Sequence, residues 1–324
     1  MNEDRSQGLE LADLRIAVLV PCRDEAPTIA RVVEDFRAAL PTASIWVFDN
    51  NSRDETARLA RDAGARVAHV WLQGKGHVVR RMFADVDADL YVLVDGDGTY
   101  DAASAPRLVA ALLEQSADMV VASRRDVTGH SYRPGHAFGN RALSAGLAHL
   151  FGRPCADVLS GYRVFSRRFV KSFPALSAGF ETETELTVHA LQLNMPVVEI
   201  ETPYRERPHD SHSKLNTWRD GWRILRTMVE LFSAERPLLF YGIGAAVLAS
   251  SSVILAIPIV LEWLASGLVP RFPTAILSTG LMLLAALSFF SGLILDTVTR
   301  GRRELRMLAY LAQPPPFAVG PREV

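Results

Sequence analysis

Cysteine is nearly absent: Cys22 and Cys155 are the only two among 324 residues. That excludes a disulfide framework and a cysteine-built metal centre, and it fits a reducing compartment. Net charge is missing too, since 35 Lys and Arg against 36 Asp and Glu leave −1. Bulk electrostatics therefore point to no nucleic-acid partner. The first residues, MNEDRSQGLELADLR, lack the apolar core of a signal peptide. The domain that follows is expected to stay in the cytosol. His69, His77 and His149 show no metal-ligand spacing and are expected to be structural.

What is present is alternation. Apolar runs at Ile16–Val20, Ser44–Phe48, Arg66–Val70 and Leu90–Val94 read as strands. Between them, Pro27–Leu40, Thr56–Ala63 and Val78–Phe83 carry a helical period. This order predicts an α/β fold, a mostly parallel sheet with helices on both faces. Ligands of such sheets bind beyond the carboxyl ends of the strands. Pro21, Asp49 and Asp95 sit at such ends, so they are expected to share one crevice.

Two stretches, Leu238–Leu261 and Phe272–Leu295, contain no charge. As helices each would reach roughly 36 Å, enough for a bilayer core of about 30 Å. The alternative is a pair of buried core helices. Arg226 and Arg236 precede the pair, and Arg300, Arg302, Arg303 and Arg306 follow it. The positive-inside rule then puts both ends in the cytoplasm of a cell-membrane protein. Just upstream, Trp218, Trp222, Leu225, Val229 and Phe232 repeat at helical spacing with Arg219, Arg223 and Arg226 beside them. That stripe predicts a helix lying in the membrane interface, or packed on its own domain.

Charge is uneven locally. Between Val121 and Lys171 nine basic residues, Arg124 and Arg141 among them, face only Asp126 and Asp157. Such a stretch can hold an anion. Upstream, the segment VDGDGTY sets Asp95 and Asp97 one residue apart at a strand end. Two carboxylates so close repel unless a cation or hydrogen-bond donors neutralise them. Mg²⁺ or Mn²⁺ commonly bridges one or two carboxylates to a substrate diphosphate. Gly96 and Gly98 are expected to let a ligand approach closely.

In order along the chain come VPCRDEAPTI, VFDNNSRDET, QGKGHVVRRM and VDGDGTY, then DVLSGYRVFSRR, GFETETEL and SHSKL. Together they resemble family 2 glycosyltransferases of the GT-A fold. The last three narrow the likeness to polyprenyl-phosphate sugar synthases of the dolichol-phosphate mannose synthase type. The resemblance covers roughly Ile16 to Arg236. It implies a Rossmann-like GT-A sheet, an interfacial helix and two transmembrane helices. The expected domains are a polar extension (1–15), a cytosolic GT-A domain (16–215), the interfacial helix (216–236), the paired spans (237–299) and a basic tail (300–324).

The resemblance also implies roles. Pro21, Arg23 and Glu25 would meet the base and ribose, with Asp49 and Asn50 near the base. Asn50 stands where relatives often carry a second aspartate. Gly74, Lys75 and Gly76 form a loop near the nucleotide. Asp95, Gly96 and Asp97 belong to the diphosphate, with Asp95 and Asp97 as metal ligands. Thr99 stands where many relatives have a ligating glutamine. Arg124, Arg141, Ser144, Arg205, Arg207 and Lys214 are candidates for the acceptor phosphate, and Arg163 joins Asp95, Asp97, Arg124 and Arg141 as a catalytic candidate. Glu181, Glu183 and Glu185 fall where other family members keep a base.

A phosphate monoester, with a second pKa of about 6, is already anionic at neutral pH. It needs cations to guide it, not the base that a sugar hydroxyl requires. The expected reaction is an inverting transfer from a nucleotide sugar, UDP favoured over GDP, to undecaprenyl or dolichyl phosphate. The partners are then the donor, the lipid phosphate and the bilayer, and a homo-oligomer is allowed. Two rivals stand beside it. One keeps the fold with a diacylglycerol or glycan acceptor, although a Gln-x-x-Arg-Trp channel motif is missing. The other is a membrane scaffold that binds nucleotide sugar without turnover.

Overall fold

The computed structural model describes residues 14–126, 157–176, 181–205, 226 and 229–315. Cys155, His149, Arg141, Ser144, Arg207, Lys214, Trp218 and Trp222 lie outside them. The chain divides into two compact units, one of residues 1–222 with 306–324, the other of residues 223–305.

In the first unit seven described strands make one sheet: β1 (Ile16–Cys22), β2 (Ser44–Asp49), β3 (Arg66–His69), β4 (Leu90–Leu93), β5 (Met119–Asp126), β6 (Arg163–Ser166) and β7 (Val197–Tyr204). Their order is β3-β2-β1-β4-β6-β5-β7. The pairs are parallel except those made by β6, which runs against both β4 and β5. Helices α1 (Ile29–Ala39), α2 (Thr56–Asp62), α3 (Lys75–Asp85), α4 (Ala105–Glu114), α5 (Arg167–Ser172) and α6 (Thr182–Gln192) cover it.

β4 explains why its sequence is apolar throughout. Leu90 and Val92 enter one core with α1 and α4, through Val33, Phe36, Leu108 and Leu112. Tyr91 and Leu93 enter the other with α3, α5 and α6, through Val79, Met82, Phe169 and Leu186. A strand buried on both faces has no polar side to show. β1 runs two residues further than its apolar stretch suggests, through Pro21. Its pairing with β4 ends at Leu19 while pairing with β2 continues to Cys22. Proline is tolerated where one neighbour has already left the strand.

α6 carries a buried histidine. His189 Nε2 lies 3.0 Å from Ser172 Oγ, and its ring is 1% exposed. Burial, with Arg306 adding to it, pushes its pKa down to about 3. The unfolded imidazole binds its proton near 6.5. Between those values the unfolded state holds more protons, so stability falls as pH falls. The expected slope is about 1.4 kcal/mol per pH unit below roughly pH 6. Unfolding of wild type and His189→Gln between pH 4 and 7 checks this, and the variant should lose that part of the slope.

The second unit contains two helices long and apolar enough to cross a membrane, α7 (Pro237–Ser266) and α8 (Phe272–Leu311). Their large side chains, such as Ile254, Leu264, Leu283 and Phe290, are exposed. They are therefore not the buried core helices of the alternative reading. Small residues recur every seventh position where they bury: Ala245 and Ser252 on α7, Ser278, Ala285 and Gly292 on α8. Ser252 Oγ donates to Ser278 O at 2.6 Å and Ser288 Oγ to Tyr241 O at 3.0 Å. Close packing over small residues is how helices associate without a hydrophobic drive between them. α8 runs well past Leu295, where the apolar stretch ends. From Arg306 it belongs to the first unit, where Tyr310 Oη donates to the buried Asp118 at 2.8 Å. Pro314 and Pro315 follow its end, as residues that cannot continue a helix.

Candidate active site

The carboxyl ends of β1, β2 and β4 lie side by side. Cys22 pairs in register with Asp49, and Val94 N donates to Leu19 O at 3.1 Å. Pro21, Asp49 and the segment leading to Asp95 are thus brought to one edge of the sheet. The loop after β1 is laced to the loop after β2. Arg53 N donates to Asp24 Oδ1 at 2.7 Å, Glu25 N to Thr56 Oγ1 at 2.9 Å, and Ala26 N to Asp54 Oδ2 at 3.1 Å. Glu25 O in turn receives the N–H groups of Thr28 and Ile29 at the start of α1. Arg23 is half-exposed beside Asp24.

Asp49 is buried and lies 3.1 Å from His69 Nδ1. His69, expected to be structural, thus has a specific partner. Asn50 departs from its expected part. Its Nδ2 donates to Val70 O at 2.9 Å and Leu72 O at 2.8 Å, while Oδ1 accepts from Gly74 N at 2.8 Å. Both amide hydrogens go to the loop before α3, so they are not available to a base. An aspartate could make neither donation. Asn50→Asp is expected to destabilise the protein by about 1–3 kcal/mol and to loosen the loop that carries Lys75. Denaturant unfolding of the variant against wild type checks it.

Gly96 is explained by packing rather than by a ligand. A Cβ there would lie 2.4 Å from Cys22 Sγ. Beside it stand the two carboxylates. Asp97 is 3% exposed, and its Oδ1 accepts from Thr99 Oγ1 at 2.6 Å and Thr99 N at 3.1 Å. Thr99 therefore fixes Asp97. Asp95 Oδ1 lies 2.6 Å from Lys75 Nζ, which also reaches Glu183 Oε1 at the start of α6. Burial alone would lower the lysine's pKa, but Asp95 and Glu183 hold it above its ordinary value. Glu183 Oε2 is buried with no hydrogen-bond partner among the described residues. Glu183 is the one of the three glutamates that meets the carboxylate pair's lysine, and its sequence distance from Lys75 hid this. On the other side of Asp95, a Cβ on Gly161 would come 2.3 Å from Oδ2.

Beyond Asp95 lies an aromatic cluster. Tyr100 sits edge-on to Tyr162 and Tyr204 at 5.5 and 5.2 Å, and its hydroxyl accepts from Gly161 N at 2.8 Å. Burial pushes its phenol pKa up. These tyrosines carry no catalytic signature in the sequence, although Tyr100 closes the VDGDGTY motif. Arg124 makes a two-pronged bond to Asp157, 2.7 Å on each prong, and stacks over Tyr204 at 5.6 Å. Arg205 is exposed near Asp101 at 3.7 Å. Arg163 is a correction. It is fully buried, with Nε on Ser160 O at 2.9 Å, Nη2 on Val158 O at 2.6 Å and Nη1 on Thr187 Oγ1 at 2.9 Å. It supports the loop before Gly161 and cannot touch a substrate.

Among the described residues no group of three or more His, Cys, Asp or Glu side chains could hold a metal ion. Asp95 and Asp97 are two hard oxygen donors on one loop. Mg²⁺ and Mn²⁺ suit such a pair, since they keep waters and take substrate phosphate oxygens for the remaining positions.

The family described as "Glycosyl transferase family 2" matches residues 17–173. Glycosyltransferase AglJ of Haloferax volcanii is 30% identical over 291 residues, which span 89% of this chain and 95% of AglJ. The dolichyl-phosphate hexose transferase of the same organism is 25% identical over 68% of this chain and 95% of its own length. Among solved structures, glucosyl-3-phosphoglycerate synthase from Mycobacterium tuberculosis, in complex with Mn²⁺, UDP-glucose and glycerol 3-phosphate, superposes with a TM-score of 0.55. It is 25% identical over 68% of this chain and 80% of that one. The sheet and its flanking helices have the GT-A fold of glycosyltransferases. The chain belongs to glycosyl transferase family 2, enzymes that transfer sugars from nucleotide sugars.

Proposed function

We propose that this enzyme transfers a hexose from a UDP-sugar, with inversion, to a polyprenyl phosphate at the cytoplasmic face of the cell membrane. The observation that carries the proposal is one chain holding both a nucleotide-sugar fold and two membrane-length helices with exposed apolar surfaces. A polyprenyl chain does not leave the bilayer, so an enzyme using it works at the surface. The name of the dolichyl-phosphate hexose transferase relative supports the lipid acceptor. The Mn²⁺ and UDP-glucose of the mycobacterial complex support the metal and the uridine donor.

In this reading the catalytic domain (16–215) is cytosolic. Pro21, Arg23, Glu25 and Asp49 line the nucleoside side of the crevice. Asp95 and Asp97 would hold Mg²⁺ or Mn²⁺, which neutralises charge on the departing diphosphate when bound. An acceptor phosphate oxygen attacks the anomeric carbon as the bond from that carbon to the diphosphate oxygen breaks, and UDP leaves. The phosphate is already deprotonated, so no base is needed. Arg141, Ser144, Arg205, Arg207 and Lys214 guide it by charge and hydrogen bonds. Arg124, clamped by Asp157, holds its guanidinium in a fixed direction and is a further candidate for that phosphate.

The test is turnover of the detergent-purified chain with Mg²⁺ or Mn²⁺, undecaprenyl or dolichyl phosphate, and a panel of UDP- and GDP-sugars. The expected result is one UDP-sugar giving a lipid-phosphate monosaccharide by mass spectrometry. Nucleoside diphosphate release without a lipid product would overturn the acceptor.

A further inference from the structure

Lys75 opens α3 with its ammonium 2.6 Å from Asp95 Oδ1 and a second contact on Glu183. Its side chain is 11% exposed and that of Glu183 is 8% exposed. Such a contact is too short and too enclosed to be an incidental surface pair. Asp95 is also one of the two carboxylates that suit a divalent metal. An ammonium and a divalent cation on the same carboxylate repel each other, and in an enclosed site that repulsion is poorly screened. Lys75 and a divalent metal would therefore compete for Asp95.

We infer that Lys75 is a place-holding cation, which closes Asp95 to metal until the donor diphosphate draws the ammonium away. This rests on the metal reading under the proposed function and deepens it. The diphosphate does two things at once. It gives Lys75 a new anionic partner, and it supplies oxygen ligands that Asp95 and Asp97 alone do not provide. Glu183 Oε2, buried and without a partner among the described residues, leaves that carboxylate with spare capacity to steady the lysine as it shifts. Metal and donor then bind as a coupled pair. By linkage, the factor by which the nucleotide tightens the metal equals the factor by which the metal tightens the nucleotide.

The test is Mn²⁺ binding to the full chain in detergent, read from the free-ion paramagnetic resonance signal, with and without UDP, and with GDP in parallel. In wild type, UDP is expected to tighten Mn²⁺ by about tenfold or more, within the usual range of site coupling. Lys75→Met is expected to tighten Mn²⁺ about tenfold when nucleotide is absent, and to change it little when nucleotide is present, so that the coupling shrinks. The variant strands two carboxylates, so Lys75→Met with Glu183→Gln is measured beside it and should show the same loss of coupling. A gain equal with and without nucleotide would reduce Lys75 to a distant charge and overturn the place-holding role. Unchanged coupling in both variants would do the same while leaving the metal reading intact. A wild-type chain that binds no Mn²⁺ even with UDP or GDP would overturn the metal reading and this inference together.

Discussion

Asp97→Asn is expected to lower turnover about a thousandfold while leaving the melting temperature close to that of wild type. The loss corresponds to roughly 4 kcal/mol of transition-state stabilisation, in line with what a bound metal supplies to a leaving diphosphate. The choice of asparagine follows from the geometry. Asp97 Oδ1 accepts from both the amide and the hydroxyl of Thr99, and an asparagine oxygen can do the same. The two bonds to Thr99 are kept while the charge goes. Asp97→Ala should lose as much activity, but it also strands the two buried Thr99 donors, at about 1–3 kcal/mol of stability. The pair separates chemistry from folding. Wild-type turnover in Asp97→Asn would remove the carboxylate from the mechanism. An activity loss seen only in Asp97→Ala, together with a lowered melting temperature, would make Asp97 a loop residue.

Much of this fold is legible from the order of residues, because burial on both faces writes itself into a strand. Leu90 to Val94 has no polar position to confuse with a surface strand, and the same holds for Ala17 to Val20. The rule that parallel strands present ligands at their carboxyl ends then brings Pro21, Asp49 and Asp95 together. What stays hidden is long-range pairing. Nothing near Lys75 announces that it will share an ion pair with Glu183 on a different helix. Asn50 looks like a weakened aspartate until its three partners in the β3–α3 loop are seen. Gly96 looks like a ligand contact until Cys22 is found against it. Arg163 misleads for the same reason. In a stretch rich in basic residues it reads as a catalytic cation, and only the carbonyls of Val158 and Ser160 show why an arginine can be buried there.

Arg163→Met is expected to destabilise the first unit by roughly 3–5 kcal/mol, the scale of removing a buried charged partner and leaving its acceptors unmet. Methionine keeps much of the volume, so the effect measures lost hydrogen bonds more than a cavity. Ser160 O, Val158 O and Thr187 Oγ1 lose a donor, as does the weaker acceptor Met119 Sδ. Two of these shape the loop that ends in Gly161, whose backbone packs against Asp95. The third, Thr187, donates its hydroxyl to Glu183 O at 3.1 Å, on the helix that holds the partner of Lys75. One guanidinium thus braces both flanks of the carboxylate site without reaching it. Two readouts follow from that placement. Denaturant unfolding should show the stability loss, and the folded variant at low temperature should show a raised KM for the donor with a smaller change in kcat. Arg163→Lys, with one ammonium in place of a fork, should recover part of the stability. A variant within 1 kcal/mol of wild type would mean that the Tyr100–Gly161 bond holds the loop by itself. A fall in kcat with stability and KM unchanged would return Arg163 to the chemistry from which its burial removes it.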